Sequence, residues 1–185
     1  MKQATLLLII SDIFVLTGFG LVQPILAIYI KDDLVGGTIF AAGLASMLFI
    51  ITKSVVQMPL SRIVDKHQRI FRRKILIIGT FVLAIVPFIY IFTNHVNFMY
   101  LAQIVEGLGS GLAYPAWVGI WSRSSDINQR SFDWSLYSTL TGIGTGIAAL
   151  TGAGIAQFFG FTYAFLVVEA MTLFGCVILF KLEKT

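Results

Sequence analysis

The chain has 185 residues, 57% of them hydrophobic and 12% charged, with a mean hydropathy of +0.89. A water-soluble domain carries about 25% charged residues, so this composition suits lipid as its solvent and excludes an ordinary soluble fold. The net charge of +4 does not point to nucleic acid, because the basic residues crowd into one short stretch. A single cysteine, Cys176, rules out a disulfide framework and a cysteine-rich metal site, and no metal or cofactor is expected.

Met1-Lys2-Gln3 leads into an apolar stretch too long for the core of a signal peptide, without a small-residue cleavage site, so no cleaved leader is expected. A spanning helix needs about 20 mostly apolar residues. The apolar runs predict an all-α polytopic membrane protein with six spans, at 5–30, 38–60, 75–93, 98–121, 135–159 and 162–181, forming one domain over 1–185. The breaks are Lys31-Asp32-Asp33 with Gly36-Gly37, the basic stretch Arg62 to Lys74, the polar turn Asn94-His95-Val96-Asn97, the polar loop Arg123 to Asp133, and Gly160.

Of the thirteen Lys and Arg residues, eleven fall on one side of this arrangement. They are Arg62, Lys66, Arg69, Arg72, Arg73 and Lys74 in the second connection, Arg123 and Arg130 in the fourth, and Lys2, Lys181 and Lys184 at the ends. Lys31 alone falls opposite, and Lys53 lies within a span. Positive residues stay inside, which puts this side and both termini in the cytoplasm, with the plasma (inner) membrane as the setting.

Four charged residues fall within spans: Asp12, Lys53, Glu106 and Glu169. Each costs about 2.5–3.5 kcal/mol at mid-span when unpaired, so each should face a partner or a wet cavity. In span one, Asp12 and Gln23 share a helical face, and Pro24 should weaken the helix there. In span two, Ser46, Lys53 and Gln57 align. Asp12 and Lys53 lie at similar depth, which allows an ion pair; the alternative is that Lys53 snorkels to the inner headgroups.

Span four carries a polar and aromatic stripe, Gln103, Glu106, Ser110, Tyr114, Trp117 and Trp121, at three- and four-residue steps. Beside it runs a stripe of small residues, Gly107, Gly111, Pro115 and Gly119, suited to close helix packing. The two stripes suit a bundle lining a cavity, and Trp121 is read as part of an interfacial aromatic belt. In span five, Gly142 and Gly146 form a GxxxG, read as close helix approach or a hinge. Glu169 in span six aligns with Thr162, Thr172 and Cys176 and is expected to hydrogen-bond to a neighbouring helix.

The stretch Pro59-Leu60-Ser61-Arg62-Ile63-Val64-Asp65-Lys66, followed by Arg69 and Arg72-Arg73-Lys74, resembles the G-x-x-x-D-(R/K)-x-G-(R/K)-(R/K) signature of the major facilitator superfamily. Ser61 and Gln68 stand in place of its two glycines. Gly18-Phe19-Gly20 through Gln23-Pro24 to Tyr29 is similar to that family's first helix, and Gln103-Ile104-Val105-Glu106-Gly107 to its fourth-helix R-x-x-x-G motif, with Gln103 in the arginine's place. The span-five glycines resemble the antiporter motif without its proline. The likeness covers essentially the whole chain and implies the N-terminal six-helix half of a transporter working by alternating access.

On that resemblance, Asp12, Gln23, Lys53, Glu106, Ser110, Tyr114 and Trp117 are the candidates for solute or ion translocation, with Glu106 as the proton or cation carrier. Asp65, Lys66, Arg69 and Arg73 would form a cytoplasmic gating loop. Such transporters have two six-helix halves, and this chain stops at Phe180 to Thr185, where the central loop would begin. The expected partners are the bilayer, a small organic solute with or without H+, and a second half, either another copy or a separately encoded chain. The alternatives are a truncated non-transporting half and a structural subunit. An intramembrane serine protease built on Ser110 is set aside, because His67 and His95 lie in connections beyond its reach; the chain is read as a non-enzyme.

Overall fold

The structure is a computed structural model that describes residues 3–124 and 128–181. Lys2, Lys184 and the tail from Leu182 to Thr185, which entered the orientation and length arguments, lie outside the described residues. The described residues form α1 (Gln3–Val22), α2 (Leu26–Asp32), α3 (Ile39–Lys66), α4 (Arg69–Phe92), α5 (Val96–Ser124), α6 (Arg130–Phe159) and α7 (Phe161–Lys181).

The first expected span is two helices, not one. Pro24 lacks an N–H, and its ring crowds the carbonyl four residues earlier. Gln23 N still bonds to Phe19 O at 2.9 Å, but Ile25 N turns to Val22 O at 3.0 Å before α2 restarts. On the far side, the Tyr29 hydroxyl lies 3.1 Å from Tyr90 O and 3.0 Å from Thr93 O, occupying carbonyls that the end of α4 leaves open. Val35 then pairs with the α4–α5 turn, through Val35 N to Asn94 O at 3.0 Å and Val96 N to Val35 O at 3.1 Å. Gly36, at φ +79°, permits that turn.

The basic stretch Arg62 to Lys74 is not a loop. Helix α3 runs to Lys66 and α4 starts at Arg69, leaving His67 and Gln68 between them. Arg72, 2% exposed, explains this. Its Nε donates to Val64 O at 2.8 Å, and its Nη2 to His67 O at 2.7 Å and Asp65 O at 3.4 Å. A buried guanidinium thus caps the carbonyl end of α3, where a cation also suits the helix dipole. At the other helix ends, Thr38 Oγ1 accepts from Ala41 N at 2.9 Å to start α3. Gly160, at φ +93°, closes α6 and allows α7 to begin one residue later.

Helix α5 is the centre of the packing, against α3 on one side and α4 on the other; α4 also meets α7, and α1 meets α7 and α6. The glycine stripe of α5 makes this possible. A Cβ built on Gly107 would come within 2.7 Å of Phe49 O, and one on Gly111 within 3.0 Å of Lys53 O, so α3 and α5 touch backbone to backbone. Gly79 of α4 meets Ala113 N in the same way, at 2.6 Å.

The GxxxG of α6 behaves differently. A Cβ at Gly142 or Gly146 would meet nothing within 4 Å, so neither glycine serves close approach between helices of this chain. The close contact of α6 with α1 runs through Gly144, facing Thr17, and Gly152, facing the Leu21 backbone. Residues 142 and 146 share a helix face, but that face has no neighbour in contact with it.

Five segments are long and apolar enough to cross a bilayer: Leu6–Asp32, Ile39–Lys66, Arg69–Phe92, Arg130–Phe159 and Phe161–Lys181. Helix α5, with 29 residues, is as long but more polar. Its neighbours shield it: Gln103, Glu106, Trp117 and Trp121 are all under 10% exposed. Large apolar side chains such as Ile50, Val55 and Met58 of α3 and Ile143, Ile147 and Leu150 of α6 cover the outside. The result is an integral membrane helical bundle.

Candidate functional site

Two adjoining cavities occupy the face bounded by α1, α3, α5 and α6. The smaller, about 190 Å³, is lined by Asp12, Lys53, Ser110, Tyr114, Trp117 and Tyr137, with leucines between them. The larger, about 700 Å³, is lined by Gln23, Lys53, Glu106 and Ser110 and by Thr141, Gly142, Thr145 and Gly146 of α6. Lys53 and Ser110 belong to both. The structure therefore brings together all seven translocation candidates, and it gives Gly142 and Gly146 a place: without side chains, they widen the larger cavity.

Glu106 is 3% exposed and its carboxylate is fully engaged. Tyr90 Oη donates to Oε2 at 2.5 Å, Gln103 Nε2 to the same oxygen at 2.9 Å, and Gln23 Nε2 to Oε1 at 3.3 Å. Gln103 also donates to Tyr90 Oη at 2.7 Å. Three neutral donors, from the α1–α2 turn, α4 and α5, hold one acid. Gln103, in the place of the family's arginine, supplies the hydrogen bonds without a positive charge. Pro24 contributes indirectly, since the break it forces lies beside Gln23.

Asp12 and Lys53 do not form an ion pair. Asp12 instead accepts a hydrogen bond from the Tyr137 hydroxyl of α6. Matched depth was a sound inference, but α1 packs on α6 and α7 while α3 packs on α5, so the two charges lie on separate walls of the cavity. Lys53 does not snorkel to the headgroups either. Its Nζ lies 5.3 Å from the ring centroid of Tyr114 and 5.9 Å from that of Phe49. Such cation–π contacts return about 0.5–2 kcal/mol, against the roughly 2.5–3.5 kcal/mol that a mid-span lysine costs.

Trp121 is not part of a lipid-facing belt. At 7% exposure it is buried and stacks on Trp117, with centroids 6.1 Å apart and planes 7° apart. Trp134 meets Trp121 at 5.2 Å, and Tyr137 meets Trp117 at 4.9 Å, so four rings from α5 and α6 form one cluster, of which Trp117 and Tyr137 line the smaller cavity. Glu169 departs from expectation as well. It is 4% exposed, and neither carboxylate oxygen has a hydrogen-bond partner among the described residues.

At the corner where α3 ends and α4 begins, Asp65, Lys66 and Arg69 are exposed and Arg73 is buried. Arg123 Nη2 reaches Asp65 O at 3.4 Å, tying the end of α5 to the end of α3. Among the described residues no group of three or more His, Cys, Asp or Glu could hold a metal ion. The sequence reading missed Tyr90, Tyr137 and Arg72 as site or structural residues. A signal existed for Tyr90, a hydroxyl deep in an apolar run, which needs a partner; Tyr137, among Ser135, Ser138 and Thr139, offered none.

The sequence model of the Major Facilitator Superfamily matches residues 8–185. The chain belongs to the Major Facilitator Superfamily of membrane transporters. It is 23% identical over 158 residues to the quinolone resistance protein NorA of Staphylococcus aureus, a match covering 85% of this chain and 38% of that protein. It is also 24% identical over 105 residues to the proton-coupled antiporter flippase LtaA of Staphylococcus aureus, over 57% of this chain and 26% of that one. The chain thus spans well under half the length of these relatives.

Proposed function

We propose that this chain moves a small organic solute across the membrane by alternating access, as one six-helix unit working with a second. The observation that carries this reading is the convergence of Asp12, Lys53 and Glu106, from three helices, on connected cavities inside an otherwise apolar bundle. Charges at mid-span are costly and mark solute or ion paths. The seven candidates Asp12, Gln23, Lys53, Glu106, Ser110, Tyr114 and Trp117 form the half-site, and the larger cavity opens toward the face where a second unit would stand.

The second unit is another copy or a separately encoded half. Both termini lie in the cytoplasm in this reading, so a second copy inserts in the same sense. The two units are then related by an axis along the membrane normal, as in this family's halves. Asp65, Lys66, Arg69 and Arg73 form the gate on the cytoplasmic side, with exposed Asp65 facing a helix end of the second unit. The open face at Gly142 and Gly146 accepts that unit.

Glu106 carries the coupling proton. It is buried, it is held only by neutral donors, and it lines the larger cavity. A relative described as a proton-coupled antiporter supports a proton as the coupling ion. Glu106→Gln keeps the shape and the acceptor but removes the titration. In proteoliposomes, Glu106→Gln should flatten the pH dependence of solute uptake; an unchanged profile removes Glu106 from the coupling step. Native mass spectrometry of the same sample tests the pairing, and a strictly monomeric species that still moves solute refutes it.

A further inference from the structure

Three charged side chains reach the cavities, and two of them are already satisfied. Asp12 holds the Tyr137 hydroxyl, and Glu106 holds Tyr90, Gln103 and Gln23. Lys53 is the exception. Among the described residues no carboxylate lies within 4.0 Å of its ammonium, which sits over the faces of Tyr114 and Phe49 and feels Glu106 only at longer range. A second donor on the same wall is also unanswered: Trp117, 4% exposed, has no acceptor for its indole N–H among the described residues. Both groups are hydrogen-bond donors, and one of them carries a positive charge, so this wall suits an acceptor that is itself negative.

The rest of the smaller cavity is apolar, with Leu16, Leu76, Leu83 and Leu179 on its walls beside the rings of Tyr114 and Trp117. Its 190 Å³ is somewhat larger than the roughly 150 Å³ that holds benzene in an engineered cavity. We infer that this cavity binds an amphipathic organic anion, its carboxylate, sulfonate or phosphate on Lys53 Nζ and its flat apolar body against Tyr114, Trp117 and the leucines. The inference rests on the proposed solute path and names the class of solute for it. Asp12 lines the same cavity with one oxygen on the Tyr137 hydroxyl, so the anionic group seats on the Lys53 and Trp117 wall, away from that carboxylate, and displaces only ring faces from Lys53.

The test uses the full chain in phosphatidylcholine nanodiscs and a matched pair of quenchers, para-nitrobenzenesulfonate and para-nitrophenyltrimethylammonium. All three tryptophans, Trp117, Trp121 and Trp134, sit in the ring cluster at this cavity, so their emission reports on it. The sulfonate should quench saturably above the level seen with empty discs, and the ammonium compound should not. Lys53→Gln should weaken sulfonate binding at least about tenfold, since a hydrogen bond to a charged group is lost, and Lys53→Arg should retain it. That rescue separates loss of the charge from loss of the fold. Saturable quenching by the cation alone, or by both probes equally, overturns the anion class while leaving the solute cavity standing. Saturable quenching by neither overturns the solute cavity as well. Unchanged sulfonate affinity in Lys53→Gln overturns the assignment to Lys53.

Discussion

Replacing Gly107 by alanine places a methyl group where α3 already lies. The new Cβ would sit 2.7 Å from Phe49 O, 2.8 Å from Thr52 Cβ and 3.1 Å from Lys53 N. Two of these three contacts are backbone atoms, which cannot rotate aside, so α3 and α5 must separate by about half an ångström or more to restore ordinary carbon contacts. Overpacking of this kind costs about 1–3 kcal/mol. A better helix former returns about 0.5–1 kcal/mol in the helix interior, leaving a net loss of about 1–2 kcal/mol. Gly142→Ala has the opposite sign, because nothing lies within 4 Å of its Cβ and only the helix-forming gain remains. Unfolding in mixed micelles of rising SDS fraction, followed by tryptophan emission, should therefore separate the two variants by about 2 kcal/mol. If Gly142→Ala is destabilised as much as Gly107→Ala, or if Gly107→Ala matches the wild type, the assignment of the packing faces is wrong. A loss for Gly142→Ala confined to a two-unit assembly would place the second unit on α6.

Three further outcomes follow from the site. In double-mutant cycles, Asp12→Ala with Tyr137→Phe should couple by about 1 kcal/mol, and Asp12→Ala with Lys53→Met by less than about 0.5 kcal/mol; the reverse order would restore the ion pair. Arg72→Lys loses the fork that reaches Val64 O and His67 O and should cost about 1–3 kcal/mol, with faster hydrogen exchange confined to the end of α3. Glu169→Gln should change unfolding by less than about 0.5 kcal/mol, because neither carboxylate oxygen has a hydrogen-bond partner among the described residues; a loss above about 1 kcal/mol would mean that the carboxylate is engaged.

Much of the fold was legible because the bilayer imposes length and hydropathy on each span. Five of the six apolar runs became single helices, and the first split at Pro24, where only a weakening was expected. The small stripe of α5 could be read because Gly107 and Gly111 repeat at four residues on a helix that is polar on the next face. What could not be read was which helix each stripe meets. A glycine pair has the same spacing whether it touches a neighbour, as Gly107 and Gly111 do, or lines a cavity, as Gly142 and Gly146 do. Asp12 and Lys53 failed for the same reason: depth follows from position in the chain, but lateral neighbours follow from packing. The basic stretch was misjudged because charge was taken to exclude helix, whereas Arg72 uses its charge to finish one helix inside the next.

The four mid-span charges are relieved to very different degrees, and the differences are informative. Unrelieved, they would cost on the order of 10 kcal/mol together. Glu106 has three donors, one from its own helix, one from α4 and one from the α1–α2 turn, an arrangement that fixes its position. Asp12 has one hydroxyl, carried by α6, so any motion of α6 against α1 changes its surroundings. Lys53 has only ring faces and opens onto both cavities. Glu169 has no partner among the described residues, yet it lines neither of those cavities. A fold selected for stability alone would replace each of these with a leucine at a gain. Retaining them, with the least relieved cation placed where the cavities meet, is what a path for solutes requires and what a purely structural subunit does not.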